Sequence, residues 1–256
     1  MKHEWSYDIS APFYDHDMGL NMPFDDLCGY LHLLPAVPAK LLEVGCGTGR
    51  LTLALNRHGF SMTAIDRSAP MLEQLRNKTL PGHSIDVKLM DARQIELEGP
   101  FEAILFAYSG FQYLLTDSDI DQFCQQAKVL LAASGSLILD IFLHRECSET
   151  SGFVPDYERT LPDGRVLQRW KQLSVSNGIN CTERKYRVSA DGEHQWYQTK
   201  SRQRLYTPRS LLEEMEKRGF KLDTGIFNYL PQGDTNPADR RFFSARFKPT
   251  TRRLPG

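Results

Sequence analysis

The segment GCGTGR, residues 45–50, carries three alternating glycines between an apolar run and an amphipathic one. Gly45, Gly47 and Gly49 have no Cβ atoms, so the backbone there can turn sharply and a ligand can lie against it. The dinucleotide-binding fingerprint would place its third glycine at position 50, where this chain has Arg50, and no G-x-x-x-x-G-K-[ST] sequence occurs. The loop therefore predicts a small-molecule site with weak support for a phosphate.

Two acidic residues follow the next two predicted strands. Asp66 comes roughly 20 residues after the first glycine, where a carboxylate can accept hydrogen bonds from both hydroxyls of a ribose. Asp91 ends the third predicted strand, in KLMDARQ. Ligands of open α/β sheets bind at the carboxyl ends of the strands, so Gly45, Asp66, Asp91 and Tyr108 are expected to converge on one crevice. Each residue alone would also suit a structural role, in a turn, at a helix start or in a solvated loop.

The composition limits the classes of function. The chain of 256 residues has 31 Lys and Arg against 32 Asp and Glu, a formal charge of -1, so nucleic acids are poor default partners. Its five cysteines lack C-x-x-C spacing, which argues against a zinc site or a redox motif. Their odd number and scattered positions favour a reducing compartment. The start lacks an apolar signal core, and no run approaches the ~18 apolar residues of a membrane span. These features predict a soluble, cytoplasmic protein without a membrane partner.

Short apolar runs alternate with amphipathic ones from Lys40 to about Phe142, which is typical of βαβ units around a parallel sheet. The predicted strands here are Lys40–Val44, Ser61–Ile65, Ile85–Met90, Ala103–Tyr108 and Ser136–Phe142. The predicted helices are Arg50–His58, Pro70–Lys78 with Ser68 as N-cap, and Asp117–Leu131 with Thr116 as N-cap.

The pattern changes between about Arg159 and Leu205, where β-branched and aromatic residues dominate. The turn pairs Asp163-Gly164, Asn177-Gly178 and Asp191-Gly192 make this stretch an antiparallel meander. A helix and two more strands are predicted after it, at Arg209–Lys217, about Lys221–Tyr229 and Arg241–Phe247.

The expected fold is therefore α/β and Rossmann-like, with a doubly wound, mainly parallel seven-stranded sheet and an inserted antiparallel meander as a lid. Three regions are expected. They are residues 1–158, an N-terminal lid segment and the ligand-binding core; residues 159–206, the inserted β lid; and residues 207–248, the helix and strands that complete the core sheet.

Four motifs, EVGCGTG, AIDRS, MDAR and FAYSGFQYL, occur in order at the predicted strand ends. With them, the chain from roughly Tyr7 to Phe142 resembles the class I S-adenosylmethionine (SAM) dependent methyltransferases. The resemblance implies that Glu43 to Gly49 wrap the methionine part of SAM, that Asp66 holds the ribose, and that Asp91 and the backbone of Ala92 contact the adenine. SAM has no phosphate, in agreement with the loop. The cofactor-binding candidates are Tyr14, Glu43, Gly45, Cys46, Gly47, Gly49, Asp66, Arg67, Met71, Asp91, Ala92 and Tyr108.

Substrate candidates lie in segments that could cover the site. In similar methyltransferases an N-terminal segment folds over SAM, and aromatic faces attract cations, so Tyr14 is a candidate contact for the sulfonium; Tyr7 and Tyr14 could instead only pack. After the fourth strand, AYSGFQYL resembles small-molecule enzymes that include amino-sugar N-methyltransferases, and it offers Ser109, Gln112 and Tyr113. The absence of an Asn/Asp-Pro-Pro-Tyr sequence there argues against a nucleic-acid or protein-amide substrate.

The meander supplies a second set of substrate candidates, among them Arg169 and Trp196. Its arginines could hold an anionic substrate by bidentate hydrogen bonds, although alternating charged and aromatic residues also occur in any half-exposed sheet. These arginines are Arg169, Arg184, Arg202 and Arg204. The catalytic candidates are Tyr14 and His144, since histidine exchanges protons near neutral pH. No metal site is predicted, because no His, Cys and Asp cluster has metal-ligand spacing.

Three functions follow from these residues. The first is methyl transfer from SAM to a nitrogen or oxygen of a small-molecule metabolite, in which the protein mainly aligns the reactants and excludes water. The second keeps SAM but catalyses its cyclisation or elimination, releasing methylthioadenosine. The third is a noncatalytic SAM-binding subunit. Self-association through the meander, as a homodimer, would be an alternative use of that sheet.

Overall fold

The computed structural model describes residues 6–21, 25–143, 149–190, 192–233 and 236–250. The first part of the chain forms short helices, α1 Ser6–Ser10, α2 Tyr14–Asn21 and α3 Asp26–Leu33. The core elements that follow are β1 Lys40–Val44, α4 Arg50–Arg57, β2 Ser61–Asp66, α5 Ala69–Lys78, β3 Ile85–Leu89, β4 Phe101–Phe106, α6 Asp117–Leu130 and β5 Leu131–Phe142. The remaining elements are β6 Val154–Thr160, β7 Val166–Ser176, β8 Ile179–Ala190, β9 Glu193–Arg204, α7 Pro208–Lys217, β10 Phe220–Phe227 and β11 Phe242–Pro249.

The main sheet has seven strands in the order β10-β11-β5-β4-β1-β2-β3. Strands β1 to β5 pair in parallel, and β11 pairs antiparallel with both β5 and β10. The prediction of a mainly parallel seven-stranded sheet is confirmed. The chain winds outward from β1 to β3 on one side and from β4 to β5 on the other, so the strand order reverses between β1 and β4, where ligands of such sheets bind.

Apolar residues on both faces of the central strands explain this doubly wound arrangement. In β1, Leu42 packs in the same core as Phe123 of α6 and Leu211 of α7, whereas Leu41 packs with Tyr30 of α3 and Leu55 of α4. Strands buried on both faces form parallel sheets covered by helices on each side. The predicted helix starts are also confirmed, since the hydroxyls of the N-cap residues Ser68 and Thr116 accept hydrogen bonds from backbone N–H groups of α5 and α6.

The antiparallel region is a second sheet of four strands in the order β6-β7-β8-β9. The sequence pattern predicted β7 to β9 but not β6, whose sequence VPDYERT contains Pro155 and several charged residues. β6 is an edge strand, and its pairing with β7 shifts register between Pro155 and Tyr157. Proline and charged residues are tolerated at such edges, which is why a strand forms there against the local propensity. We call this four-stranded sheet the lid sheet.

The N-terminal helices connect the lid sheet to the core. Phe13 packs into the apolar cluster of the lid sheet, which contains Leu167 and Tyr186. Asp17 of α2 is buried and accepts a hydrogen bond from Arg159 at 2.6 Å, as well as bonds from Arg169 and Tyr157. The N-terminal segment is therefore fastened to the lid sheet by apolar packing and by a buried carboxylate. No helix in the described ranges is long and apolar enough to span a bilayer.

Candidate active site

A cavity of about 280 Å³ lies at the carboxyl ends of the central strands. The glycine loop after β1, the loops after β2 to β4 and the N-terminal helices form its walls. Its lining residues are Tyr7, Tyr14, Val44, Gly45, Gly47, Asp66, Arg67, Met71, Met90, Asp91, Ala92, Arg93, Phe106, Ala107, Tyr108, Gly110, Tyr113, Leu114, Leu115 and Asp119. Residues predicted from four separate sequence motifs thus line one crevice.

Two glycines of the loop serve different purposes. Gly47 has a φ of +55° and nothing within 4 Å of a Cβ built there, so the missing side chain leaves open space beside the cavity. At Gly49, with a φ of +80°, a Cβ would lie 2.1 Å from Leu75 of α5, too close for any other residue. Positive φ values favour glycine at both positions. Gly47 therefore exposes backbone to a ligand, whereas Gly49 allows α4 and α5 to approach.

Asp66 connects the loop to the start of α5. Its Oδ2 accepts a hydrogen bond from the Gly47 N–H and its Oδ1 accepts one from the Ser68 N–H, both at 2.8 Å. Burial raises the pKa of Asp66 above its ordinary value, although these backbone N–H groups oppose the rise. The carboxylate is thus held at the cavity wall with remaining lone pairs for a ligand hydroxyl.

Asp91 is held in a different way at the neighbouring strand end. Arg93 donates to both of its oxygens at 2.8 Å, and the Arg67 guanidinium lies 3.8 Å away. The hydrogen bonds from Arg93 hold the pKa of Asp91 below its ordinary value. This carboxylate therefore stays ionised at neutral pH.

Tyrosines form the opposite end of the cavity. The hydroxyls of Tyr7 and Tyr113 are 2.6 Å apart, and the Tyr7 ring lies edge-on to Tyr14, with their centroids 5.8 Å apart. Burial raises the pKa of Tyr7, Tyr14 and Tyr113, and that of Tyr108 to about 12. All four hydroxyls are therefore protonated at neutral pH and can serve as hydrogen-bond donors.

A buried carboxylate that the sequence reasoning missed shapes the wall after β4. Asp140 of β5 has no exposed surface and accepts hydrogen bonds from the hydroxyls of Tyr30 and Tyr229 and from the Ser109 N–H. The Tyr30 hydroxyl in turn accepts a bond from the Tyr108 N–H at 3.0 Å. These bonds hold Tyr108 and Ser109 at φ values of 49° and 61°, which residues other than glycine rarely adopt. An aspartate within the apolar strand SLILDIF was the available signal.

Arg50, at the position of the missing third glycine, also supports this wall. It forms a bidentate pair with the buried Asp26 of α3, with bonds of 2.7 and 2.6 Å. Its guanidinium lies 5.8 Å from the ring centroid of Tyr108. Arg50, whose presence in the loop argued against a dinucleotide-binding site, thus links α3 and α4 to Tyr108 in the cavity wall.

The N-terminal segment reaches the glycine loop through two acids. Asp8 accepts a hydrogen bond from the Ser68 hydroxyl at 2.5 Å. Asp15 accepts one from the Thr48 hydroxyl and pairs with Lys78 at 2.5 Å. These contacts place Tyr7 and Tyr14 over the cavity, and they give the N-terminal segment the position of a cover.

Several predicted residues lie behind the cavity wall. Cys46 is buried among the apolar residues beneath the loop, and Glu43 accepts a hydrogen bond from the Thr52 hydroxyl at 2.5 Å. Ser109 is buried, and Gln112 bridges the Arg204 carbonyl and the Phe142 N–H. These positions support the site from behind, and direct ligand contacts by them stay predictions.

The structure does not bring two other predicted residues, Arg169 and Trp196, to the cavity wall. The Arg169 guanidinium donates hydrogen bonds to the Asp17 carboxylate and, at 2.7 Å, to the Asp156 Oδ2. Trp196 is 57% exposed on the outer face of the lid sheet, where it packs against Trp170. His144 lies outside the described residues. In the part of the chain that the structure describes, no three His, Cys, Asp or Glu residues are placed to hold a metal.

Glu43 predicts a pH dependence of stability. Burial raises the pKa of its carboxyl from 4.5 to about 7. The folded protein holds a proton in this interval that the unfolded chain has released, so the free energy of unfolding falls as the pH rises from 4.5 to 7 and levels above it. Glu43→Gln keeps an oxygen acceptor for Thr52, and it should raise the free energy of unfolding at pH 8 by about 3 kcal/mol.

Urea denaturation at pH 5 and pH 8 checks this prediction. The gain from Glu43→Gln should be small at pH 5, where wild-type Glu43 is mostly protonated. Glu73→Gln, on the exposed face of α5, serves as the control and should change little at either pH. Equal gains for Glu43→Gln at both pH values would contradict the titration.

The sheet order, the glycine loop after β1 and the acids after β2 and β3 define the class I methyltransferase fold. A family model described as "Methyltransferase domain" matches residues 41–135. The chain is 23% identical over 242 residues to the "Putative methyltransferase YqeM" of Bacillus subtilis, covering 94% of this chain and 96% of that one. An "Uncharacterized methyltransferase" of Anoxybacillus flavithermus is 31% identical over 152 residues, covering 57% of this chain and 68% of its own.

Solved structures share the architecture. A SAM-dependent methyltransferase from Clostridium acetobutylicum superimposes with a TM-score of 0.78 at 16% identity, covering 96% of this chain and 99% of that one. SAM-bound CalS10, an amino pentose methyltransferase from Micromonospora echinaspora, gives 0.65 at 19% identity, covering 86% and 88%. The chain belongs to the class I SAM-dependent methyltransferases, and SAM is its cofactor.

Proposed function

We propose that this enzyme transfers the methyl group of SAM to an amine nitrogen of a small-molecule metabolite. The tyrosine end of the cavity carries the proposal. Methylation of a neutral amine moves the positive charge from sulfur to nitrogen, whereas methylation of an alkoxide leaves a neutral ether. Aromatic faces stabilise such a cation within about 6 Å of their centroids, and the rings of Tyr7, Tyr14, Tyr108 and Tyr113 meet at this end.

The other end of the cavity fits SAM by the chemistry of its groups. We assign the ribose hydroxyls to Asp66, whose oxygens retain free lone pairs, and the adenine to the apolar surface of Met71 and Met90 beside Asp91. The open space at Gly47 suits the amino-acid part, since backbone can approach it there. SAM supplies an activated methyl group on sulfur; the residues of the chain orient it and exclude water.

The tyrosines then have a positioning role. Their hydroxyls are protonated, so their oxygens can orient an amine by accepting hydrogen bonds from its N–H groups, which leaves its lone pair free, but they do not act as strong bases. A neutral amine needs no proton removal before attack, because its lone pair is the nucleophile. The names of the solved amino pentose methyltransferase CalS10 and of the sugar N-methyltransferase KedS8 agree with this acceptor chemistry.

Mass spectrometry of the products tests the proposal. The purified enzyme is incubated with SAM alone and then with SAM and a small-molecule cell extract as the source of acceptors. We expect S-adenosylhomocysteine only with extract, together with a metabolite heavier by one methyl group whose fragments place that group on nitrogen. Methylthioadenosine from SAM alone would indicate cyclisation or elimination instead, and a methyl group on oxygen would contradict the amine acceptor.

A further inference from the structure

The inner face of the lid sheet, on the side of the N-terminal helices, has an apolar half and a polar half. Phe13 packs against the apolar half. The polar half, which we call the polar patch, consists of residues that share one face by their register on β8 and β9. The polar patch comprises Asn180, Thr182, Arg184, Thr199 and Ser201.

The polar patch is buried without being fully hydrogen bonded. Asn180 and Thr199 are each 3% exposed, and among the described residues the Asn180 Oδ1 and the Thr199 Oγ1 have no hydrogen-bond partner. A buried polar atom without a partner costs about 1–3 kcal/mol, and such atoms in native proteins need an explanation. A ligand with acceptor atoms that reaches the patch would supply the missing partner of the Thr199 hydroxyl, whereas the Asn180 Oδ1 is itself an acceptor and needs a donor.

A hydrogen-bonded chain links the polar patch to the cavity. The Arg184 Nη1 donates to the Ser201 Oγ at 3.1 Å, and Ser201 is hydrogen bonded to the Tyr113 hydroxyl. Tyr113 in turn bonds to Tyr7, and both tyrosines line the cavity. The patch therefore lies behind Tyr7 and Tyr113, at the end of the cavity where we place the acceptor, and its five residues do not line the cavity itself.

Arg184 differs from the other arginines of the lid sheet. Arg169 is paired with Asp17 and Asp156, and Arg204 is paired with Asp117 and Glu214. Arg202 is exposed on the outer face, opposite Cys181. Arg184 faces inward, half-buried, and has no carboxylate partner in the ranges that the structure describes.

We propose that the polar patch is the acceptor subsite for an anionic group, so that the methylated metabolite carries a carboxylate or a phosphate. The Arg184 guanidinium pairs with this group, and the Thr199 hydroxyl, which has no partner among the described residues, donates a hydrogen bond to it. The inference rests on the proposed methyl transfer and adds the substrate class. An amine at the tyrosines with an acid at Arg184 makes the acceptor an amino acid or an amino phosphate compound.

Label transfer from [methyl-14C]SAM to the small-molecule extract tests this substrate class. We expect the labelled product to yield fragments of a carboxylate or phosphate in tandem mass spectrometry. Treatment with alkaline phosphatase distinguishes the two, because only a phosphomonoester loses its anionic group. A labelled product without an acidic group would overturn the subsite but not the methyl transfer. Absence of any labelled product and of S-adenosylhomocysteine would overturn the proposed function itself.

Variants of Arg184 on the inner face and of Arg202 on the outer face test whether the anionic group binds at the polar patch. With the extract at limiting concentration, Arg184→Gln should lower labelling at least about tenfold, the loss of one charge-assisted hydrogen bond, while leaving the affinity for S-adenosylhomocysteine within about twofold. Arg184→Lys should restore part of the rate because it retains the charge. Arg202→Gln is the matched control and should behave as the wild type. Unchanged labelling by a folded Arg184→Gln would refute the assignment.

Discussion

Replacing Asp66 by asparagine should weaken the binding of S-adenosylhomocysteine at least about a hundredfold, equivalent to about 2.7 kcal/mol. Each oxygen of Asp66 accepts one backbone N–H, from Gly47 and from Ser68. An asparagine side chain has one acceptor oxygen, so its NH₂ group would face one of these donors. The substitution removes the charge that would hold the ribose and also disturbs the glycine loop.

Titration calorimetry measures this effect with S-adenosylhomocysteine as an unreactive ligand. Asp86→Asn is the matched control, because Asp86 is exposed on the neighbouring strand β3 and pairs only with Lys88 among the ion pairs of the described residues. It should bind like the wild type. If Asp66→Asn remained folded and bound the ligand equally well, the placement of the ribose at Asp66 would be wrong.

Asp140→Leu should lower the free energy of unfolding by about 4 kcal/mol, since it leaves the hydroxyls of Tyr30 and Tyr229 and the Ser109 N–H without an acceptor in the core. Such a loss is a large part of the stability of an ordinary domain. The turn at Tyr108 should also relax from its positive φ values, so the cavity wall and the affinity for S-adenosylhomocysteine should change with it.

A graded series keeps this prediction testable if Asp140→Leu does not fold. Tyr229→Phe removes one donor to Asp140 and should cost about 1 kcal/mol in urea denaturation. Tyr30→Phe should cost more, because the Tyr30 hydroxyl also accepts from the Tyr108 N–H. Equal, negligible losses for both phenylalanine variants would show that the Asp140 cluster does not hold the turn.

The features that the sequence predicted correctly depend on short-range chemistry. The N-caps Ser68 and Thr116 bond to residues three positions away, and the glycine loop turns within five residues. Asp66 and Asp91 could be assigned to one crevice because parallel strands place their carboxyl ends together. The edge strand β6 was missed because its composition opposes a strand and only its pairing with β7 forms it.

The contacts that build the rest of the site join distant parts of the chain. Asp140 bonds to Tyr30 and Tyr229, 110 and 89 positions away, and Arg184 is distinguished from Arg202 only by the face it occupies. By itself the sequence determined the fold class, the glycine loop and the acids beside it, because local periodicity and turn chemistry encode them. Only the tertiary structure decided which polar groups are buried, paired or left for a ligand, because burial and pairing depend on neighbours that the order of residues does not specify.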